Sequence, residues 1–546
     1  MNVNGTCGIH RFPIETLSHI FSFLFPASHL CLGAEGGSDD FPYVYSDLAN
    51  ANRDLESAVS VCYQWRAAAL SASSLWSTIT AGGSTTPAKL KILLKRSGAH
   101  PLRVYLSTHT ELETYDLLNA NAFRIKDFLY VSYADVETRL SCLSRMSNTA
   151  PILQSLYLGW QYDTDVVVDL ASLFAGQTPS LTRLQVGPWQ PPPTRFLGLT
   201  RLRLTHLQDD QDMPFDFLID TLRANPALEE LVLYAAVSGC CFTCFADRDG
   251  ITREMSLNPV HLPRLSYLYV AFHYAADLHI FNHLVLPDTH ECLVVDSTEQ
   301  SEEIDEFLLP FLNTYVATLG QVSKLSICHR EKKLDLLCIN KRGTILRFRV
   351  NPAASANPPA FHGKIWDGIL SRLSFEDTTE LWIESDVGIV LFSEVTWTDV
   401  LRAMPSLQTL CARGDVVNPI LQALPAIIPD SRTCLSLICP KLQTLIIHNE
   451  PEISIRHFEM LLQSRFQLGH PIPDLRISFL DPDVYEYSLR EELRALKRLR
   501  GIFGIQQVQL DLKLEEDRLR MSVPWKHLLN VQTEFGYDPS VHPHLD

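Results

Sequence analysis

The residues best suited to chemistry in this sequence are three closely spaced cysteines, Cys240, Cys241 and Cys244. Two residues separate Cys241 from Cys244, which is the spacing of paired zinc ligands, but a structural zinc site needs a second pair of ligands. The nearest further candidate is His261, seventeen residues after Cys244, and it has no partner histidine at ligand spacing. We therefore interpret the cysteines as a reduced loop or core group, and we expect no metal and no cofactor.

Sequence motifs of enzyme active sites are equally sparse. There is no Walker-type phosphate loop, no Gly-x-Ser-x-Gly nucleophile elbow and no dinucleotide-binding glycine fingerprint. The 19 histidines and 63 acidic residues bring some acid–base pairs together by chance, and the sequence does not indicate which ones. We expect a protein that is not an enzyme and has no catalytic residues.

Composition and charge indicate a folded protein that binds neither nucleic acid nor a membrane. Of its 546 residues, 46% are hydrophobic and 20% are charged, which is enough apolar material for a large core. The formal net charge of −17 leaves no basic field for a phosphate backbone or an anionic membrane. The 13 cysteines lack framework spacing and residues 1–10 lack signal-peptide features, so we expect a reducing compartment, the cytoplasm or the nucleus.

Two amphipathic helical patterns lie between residues 11 and 79. The first begins at Pro13, a residue that is well tolerated in the first turn of a helix. Its apolar residues recur at helical spacing: Ile14, Leu17, Ile20, Phe21 and Leu24. The second pattern has a single apolar stripe: Leu55, Val59, Cys62, Trp65 and Ala69. Such short helices leave apolar surface uncovered, which predicts a binding partner. The alternative is a helical hairpin that packs entirely within its own chain.

These two segments resemble the F-box, especially the form that is common in fungal proteins. Phe12-Pro13-Ile14-Glu15-Thr16-Leu17 is similar to the first F-box helix, and Val61-Cys62-Tyr63-Gln64-Trp65-Arg66 is similar to a later one. The resemblance continues through Ser73 to Ile79 and Leu93 to Leu106, and it covers about residues 11–107.

The sequence departs from the usual F-box pattern at three places. Phe12 replaces a leucine, and Tyr63-Gln64 stands where a basic pair often occurs. A long insertion runs from Pro26 to Asp54, and its glycines and aspartates predict a loop.

The resemblance implies that this segment docks on a Skp-type adaptor, which in turn joins a cullin complex. The residues that it implicates in adaptor binding are Pro13, Ile14, Leu17, Ile20, Phe21, Val61, Cys62 and Trp65.

After about residue 110, an irregular repeat of the form Pro-x-Leu-x-x-Leu-x-Leu dominates the sequence. The first leucines of its clearest copies are Leu153, Leu181, Leu228, Leu265, Leu407 and Leu442, and Leu199 begins a copy without the proline. Apart from the gap between Leu265 and Leu407, steps between neighbouring copies run from 18 to 37 residues, a range that brackets the ~20–29 residue period of leucine-rich repeats.

The repeat predicts a leucine-rich-repeat-like solenoid whose parallel strands line a concave sheet. Alternate leucines would point inward, and helices such as Phe217 to Arg223 would cover the other side. The pattern is poor from about 271 to 380, where Ser301 to Leu309 reads as a helix and Lys324 to Ile327 as a strand. Asn351 to Pro359 reads as a loop or linker by composition.

We therefore expect an α/β protein with an N-terminal helical F-box in residues 1–110 and a repeat domain in residues 111–546. The predicted function is substrate recognition in an SCF (Skp-cullin-F-box) ubiquitin ligase, with an unknown protein target bound by the repeats. Two alternatives are an F-box scaffold without a role in ubiquitin transfer and, more remotely, an enzyme built on a repeat frame. The net charge of −17 favours a basic or neutral target.

Overall fold

The protein divides into two compact units. The first comprises Met1–Leu265, Leu284–Leu286 and Trp525–Asp546, and the second comprises Ser266–His283 and Pro287–Pro524. The computed structural model describes residues 12–24, 41–82, 85–107, 110–132, 136–160, 173–187, 196–205, 215–234, 259–272, 280–281, 283–287, 292–297, 319–330, 333–350, 373–385, 397–425, 427–429, 435–449, 455–479 and 507–511.

Among the described residues, the first unit begins with three helices, α1 (Ile14–Ser22), α2 (Phe41–Val61) and α3 (Tyr63–Ser71), followed by a 3-10 turn at Ser73–Trp76. The prediction of a loop up to Asp54 is wrong, because α2 already begins at Phe41. The sequence explains this start, since apolar residues recur at steps of three and four along α2. They are Phe41, Val44, Leu48, Ala51 and Leu55.

In the described part of the first unit, seven parallel strands follow, and each pairs with the next in chain order. They are β1 (Thr78–Ala81), β2 (Leu102–Ser107), β3 (Ile125–Ser132), β4 (Ser155–Trp160), β5 (Arg183–Val186), β6 (Arg201–Thr205) and β7 (Glu230–Tyr234). The connections contain helices α4 (Pro87–Arg96), α5 (Leu112–Asn119), α6 (Val136–Leu143) and α7 (Phe215–Ala224). Two short strands, β8 (Val260–His261) and β10 (Leu284–Val285), form a separate parallel pair.

One continuous row of buried apolar side chains holds the seven strands together. Because strand residues alternate between the two sheet faces, residues in register stack on the same face. The row is Ile79, Val104, Phe128, Leu156, Leu184, Leu202 and Leu231. Each fully buried leucine contributes about 1.5–3 kcal/mol relative to an exposed one. The leucine spacing of the repeat thus sets the register of the sheet.

The described residues of the second unit form a ten-strand sheet that is parallel except at one strand. Its strands are β9 (Tyr267–Phe272), β11 (Cys292–Ser297), β12 (Val322–Arg330), β13 (Lys333–Asn340), β14 (Ile345–Val350), β15 (Glu380–Ser385), β16 (Thr409–Gly414), β19 (Thr444–Asn449), β20 (Asp474–Phe479) and β21 (Gln507–Asp511). A small antiparallel pair is formed by β17 (Ile427–Pro429) and β18 (Leu435–Leu437). The helices described in this unit are α8 (Trp397–Arg402), α9 (Val417–Ala423) and α10 (Ile455–Gln467).

The poor repeat pattern between about 271 and 380 has a structural cause. Here β13 runs antiparallel between β14 and β12, so the sheet order is β9-β11-β14-β13-β12-β15-β16-β19-β20-β21. A hairpin strand needs no leucine-repeat spacing, yet the buried row continues through it at Leu325, Cys338 and Leu346. The strand predicted at Lys324 to Ile327 is confirmed within β12. The predicted helix at Ser301 to Leu309 and linker at Asn351 to Pro359 lie outside the described residues.

The protein is therefore α/β, with mostly parallel sheets that are open and do not close into barrels. Among the described residues, β1 and β21 each pair with a strand on one side only. The predicted helix from Phe217 to Arg223 is confirmed as part of α7. Within the described residues, no helix has the length and apolar character that a membrane span requires.

Candidate functional site

The strongest candidate for a binding site is the helical module, which we define as residues 12–24 and 41–77. Pro13 is the N-cap residue of α1, and its carbonyl accepts the N–H of Leu17 at 3.1 Å. The third helix is capped by Cys62, whose Sγ accepts the backbone N–H of Trp65 at 3.4 Å. Such capping satisfies an N–H group that has no partner inside the helix.

Helices α1 and α3 are joined by polar contacts as well as by packing. The Ser18 hydroxyl donates to the Ala68 carbonyl at 3.1 Å, and the Gln64 side-chain amide donates to the Phe12 carbonyl at 2.9 Å. The rings of Phe21 and Trp65 meet edge to face, with their centroids 5.2 Å apart. The hydrogen bond from Gln64 to Phe12 fixes the chain just before α1 against the first turn of α3.

The module shares one core with the start of the sheet. Trp76 is buried there, its indole N–H donates to the Ala69 carbonyl at 2.8 Å, and the Arg96 guanidinium lies 4.4 Å from the centre of its ring. The buried members of this core are Leu17, Phe21, Leu55, Ala58, Ala68, Ala69, Leu75, Trp76 and Leu93. Since Leu93 belongs to α4, the module and the first helix of the sheet region pack together.

The structure divides the predicted adaptor-binding residues into three groups. Pro13, Ile14, Ile20 and Val61 are exposed, and Cys62 and Trp65 are partly buried. Leu17 and Phe21 are buried in the core of the chain itself. The apolar surface that α1 leaves uncovered is therefore limited to the flanks of its stripe, because Leu17 and Phe21 at the centre pack against α2 and α3.

Two further exposed side chains lie beside this group and were not among the predicted contacts. Tyr63 is 84% exposed at the first position of α3. The Phe12 side chain is also exposed, and its backbone carbonyl accepts a hydrogen bond from the Gln64 side chain. Together with Val61, which is 60% exposed, they place three large apolar or aromatic side chains around the start of α3. We call Phe12, Ile14, Val61 and Tyr63 the α1–α3 surface. The sequence could have indicated this surface, because Val61 and Tyr63 flank the helix cap Cys62, and side chains at a helix boundary are often exposed.

A second group of reactive side chains lies in register across the sheet of the second unit. The Cys328 thiol donates to Glu384 at 3.6 Å, and Arg413 forms an ion pair with the other Glu384 oxygen at 2.9 Å. Burial, and secondarily the charge of Arg413, lowers the pKa of His448 to about 4, so its imidazole is neutral near pH 7. Sequence reasoning missed this group because strand pairing alone brings its members together.

This second group does not contain a catalytic Cys–His pair. Cys328 and His448 stand three strands apart in register, and strands are about 4.8 Å apart, so about 14 Å separates the backbones. Proton transfer needs an approach of about 2.6–3.2 Å between the two side chains. The group is a row of ion pairs and hydrogen bonds across the sheet.

The zinc-spaced cysteines Cys240, Cys241 and Cys244 lie outside the described residues, and His261 lies on β8. Within the described part of the chain, no three His, Cys, Asp or Glu side chains are grouped so that they could hold a metal ion.

Comparison with known proteins gives no family for this chain: no protein-family model matches it, and no curated protein matches its sequence. What the helical module does is therefore inferred from its residues and their geometry.

Proposed function

We propose that this protein is the substrate-recognition subunit of an SCF-type ubiquitin ligase. In this proposal the helical module is an F-box that binds a Skp-type adaptor, and the sheet region is a leucine-rich-repeat-like solenoid that binds the target protein. The observation that carries the proposal is the α1–α3 surface, which stays exposed although the three helices already share a buried core with one another and with α4.

Burial decides which residues can bind the adaptor. An adaptor contact at Leu17 or Phe21 would require the core to open, so these two side chains act by holding α1 in place. Binding anchors in interfaces are typically large apolar or aromatic side chains at the centre of the contact. Val61 and Tyr63 fit that role, and Phe12, Ile14 and Ile20 extend the contact along α1.

The leucine register supports the repeat half of the proposal. Parallel strands that alternate with helices and stack leucines in one row are the arrangement in which each repeat buries its apolar side chains against its neighbours. No catalytic group is needed in such a subunit, since it accelerates ubiquitin transfer by holding the target near the conjugating enzyme.

The proposal is tested by measuring the affinity of the full chain for a purified Skp-type adaptor. We expect the double substitution Val61→Ala and Tyr63→Ala to weaken binding by about tenfold to a hundredfold, which corresponds to about 1.4–2.8 kcal/mol in the range of interface anchors. Phe123→Ala is the matched control, because Phe123 is 61% exposed but lies outside the module. It should bind the adaptor as the unmodified chain does.

Three outcomes separate the alternatives. Absence of adaptor binding by the unmodified chain, or unchanged binding by the double variant, contradicts the assignment of the module as an F-box. Adaptor binding without recruitment of a cullin favours the scaffold function. Recruitment of both, followed by ubiquitin transfer to a bound protein, supports the receptor function.

A further inference from the structure

Helix α4 is preceded by an exposed threonine, Thr86, and begins with a proline, Pro87. The whole sequence contains two Thr-Pro dipeptides, Thr86-Pro87 and Thr178-Pro179, and no Ser-Pro dipeptide. A proline after a hydroxyl residue is the signal that proline-directed protein kinases recognise. Proline alone lacks a backbone N–H, so a kinase groove without an acceptor at that position penalises every other residue. Two threonines in this chain carry the signal.

A basic residue distinguishes the first of these threonines from the second. Lys89 lies three residues after Thr86, whereas Leu181 lies three residues after Thr178. One class of proline-directed kinases also prefers Lys or Arg at this third position, because an acidic or phosphorylated part of its groove binds the cation by charge-assisted hydrogen bonds. The segment Thr86-Pro87-Ala88-Lys89 has both features, and the segment that begins at Thr178 has only the first.

The geometry of Thr86 suits a phosphate acceptor. Its φ of −74° and ψ of 154° are those of an extended chain, which is the backbone form that kinase grooves bind. Its side chain is exposed at the N-cap of α4, where the hydroxyl oxygen accepts the N–H of Lys89 at 3.3 Å. Thr178 is only partly exposed, and its carbonyl accepts the N–H of Leu181 at 3.1 Å. Thr86 is therefore the more accessible of the two.

Only the first turn of α4 has to open for a kinase to bind this segment. The first N–H groups of a helix have no acceptor within it, and helix ends open at a low free energy. Ala88 is exposed and the Lys89 side chain is 43% exposed, whereas Pro87 is buried and must leave its contacts. Phosphorylation of the folded chain should therefore be slower than that of a free peptide with the same sequence.

We propose that Thr86 is a phosphorylation site for a proline-directed protein kinase of the class that prefers a basic residue three positions after the acceptor. In this reaction the Thr86 hydroxyl oxygen attacks the γ-phosphorus of ATP, and the bond from that phosphorus to the bridging oxygen breaks. ADP leaves, and the hydroxyl proton passes to the catalytic base of the kinase. The inference goes beyond the proposed adaptor binding and does not depend on it.

A phosphate at Thr86 would act on the contact between the helical module and α4. Lys89 Nζ pairs with the carboxylate of Glu56 on α2 at 2.8 Å, and both side chains are at least 40% exposed, so this ion pair is weak. Phosphothreonine carries a charge of about −1.5 to −2, and at the N-cap it lies at the positive end of α4, one turn from Lys89. The phosphate therefore competes with Glu56 for Lys89, and phosphorylation adjusts how α2 is held against α4.

The test incubates the full chain with a cyclin-dependent kinase, which has this basic preference, together with ATP and magnesium. Tandem mass spectrometry then locates and quantifies the phosphate. We expect Thr86 to be phosphorylated about tenfold faster than Thr178 or more, since a hydrogen bond to a charged group contributes about 1.5–3 kcal/mol. Thr86→Asn should abolish the reaction at this site and keep α4 folded, because asparagine is also a good N-cap. Thr86→Ser should retain both the cap and the reaction.

Two substitutions test the recognition of the segment. Pro87→Ala and Lys89→Gln should each lower the rate at Thr86 by about tenfold or more, because the first leaves an N–H unsatisfied in the groove and the second removes the cation. Lys95→Gln is the matched control, since Lys95 is an exposed lysine in the last turn of the same helix. It should react as the unmodified chain does.

A synthetic peptide of residues 80–93 verifies that the kinase accepts the sequence. Absence of phosphate at Thr86 in the full chain overturns the proposal, and it does so even where the peptide reacts, because the fold then hides the site. Faster reaction at Thr178, or equal rates for the unmodified chain and the Pro87→Ala variant, also overturns it.

Discussion

Leu17 and Ile20 lie one turn apart on α1, and we expect their truncation to alanine to have opposite consequences. Leu17 is fully buried, so Leu17→Ala leaves a cavity in the core of the module. Such substitutions cost about 2–5 kcal/mol, because the lost transfer free energy adds to the cavity. Ile20 is exposed, so Ile20→Ala should change stability by less than about 0.5 kcal/mol. If α1 touches the adaptor along its exposed flank, Ile20→Ala should instead weaken adaptor binding.

Hydrogen exchange of the full chain measures the local effect directly. The backbone amides of α1 should exchange about thirtyfold faster or more in Leu17→Ala, since each 1.4 kcal/mol is a factor of ten. In Ile20→Ala they should exchange nearly as in the unmodified chain. Equal acceleration in both variants, or slow exchange in both, would refute the burial of Leu17 against α2 and α3 and with it the division of the stripe.

Three further predictions concern the second unit. The fully buried guanidinium of Arg465 donates to the carbonyls of Ile438, Cys439 and His470 at 2.9–3.2 Å. Arg465→Met leaves those carbonyls without their donors, so it should destabilise the second unit by about 3–5 kcal/mol in urea unfolding. The pKa of His448 is lowered to about 4 in the fold, so between about pH 6.5 and pH 4 the unfolded chain binds a proton that the folded chain does not, and the stability of the unmodified chain falls as the pH falls through this range. His448→Gln should reduce this loss of stability, which urea unfolding midpoints at several pH values would measure. Leu410→Ala should cost about 2–5 kcal/mol by thermal unfolding, because Leu410 is fully buried in register between the leucines of β15 and β19.

Most of the features that the sequence predicted correctly were elements whose apolar residues recur at a regular spacing. The alternation within Pro-x-Leu-x-x-Leu-x-Leu predicted parallel strands with inward leucines, and β4 to β7 follow it with Leu156, Leu184, Leu202 and Leu231 in one buried row. The segment from Leu93 to Leu106, to which the resemblance extends, contains the end of α4 and most of β2. These elements were predictable because their apolar residues have only one face to bury.

Other features depend on contacts that no local pattern contains. The apolar side chains of α1 form one stripe, and helical spacing alone does not reveal which part of that stripe meets the neighbouring helices, so Leu17 and Ile20 looked equivalent. Arg465 reads as an ordinary basic residue near a helix C-terminus, yet it is buried because carbonyls 26 and 27 residues earlier accept its hydrogen bonds. The antiparallel strand β13 keeps the buried row with Cys338, a residue that leucine counting passes over.

The division of α1 has a consequence for how adaptor binding would act on the module. Since Leu17 and Phe21 are already packed, binding at the α1–α3 surface requires no rearrangement of the core. A partner that binds only the folded state stabilises it by about 2.7 kcal/mol at a free concentration one hundred times its dissociation constant. We therefore expect a saturating Skp-type adaptor to slow amide exchange throughout α1 and α3, while the environment of the buried Trp76 indole stays unchanged in near-ultraviolet circular dichroism of the module. A large spectral change at Trp76 on binding would mean that the core opens, and that Leu17 and Phe21 reach the adaptor after all.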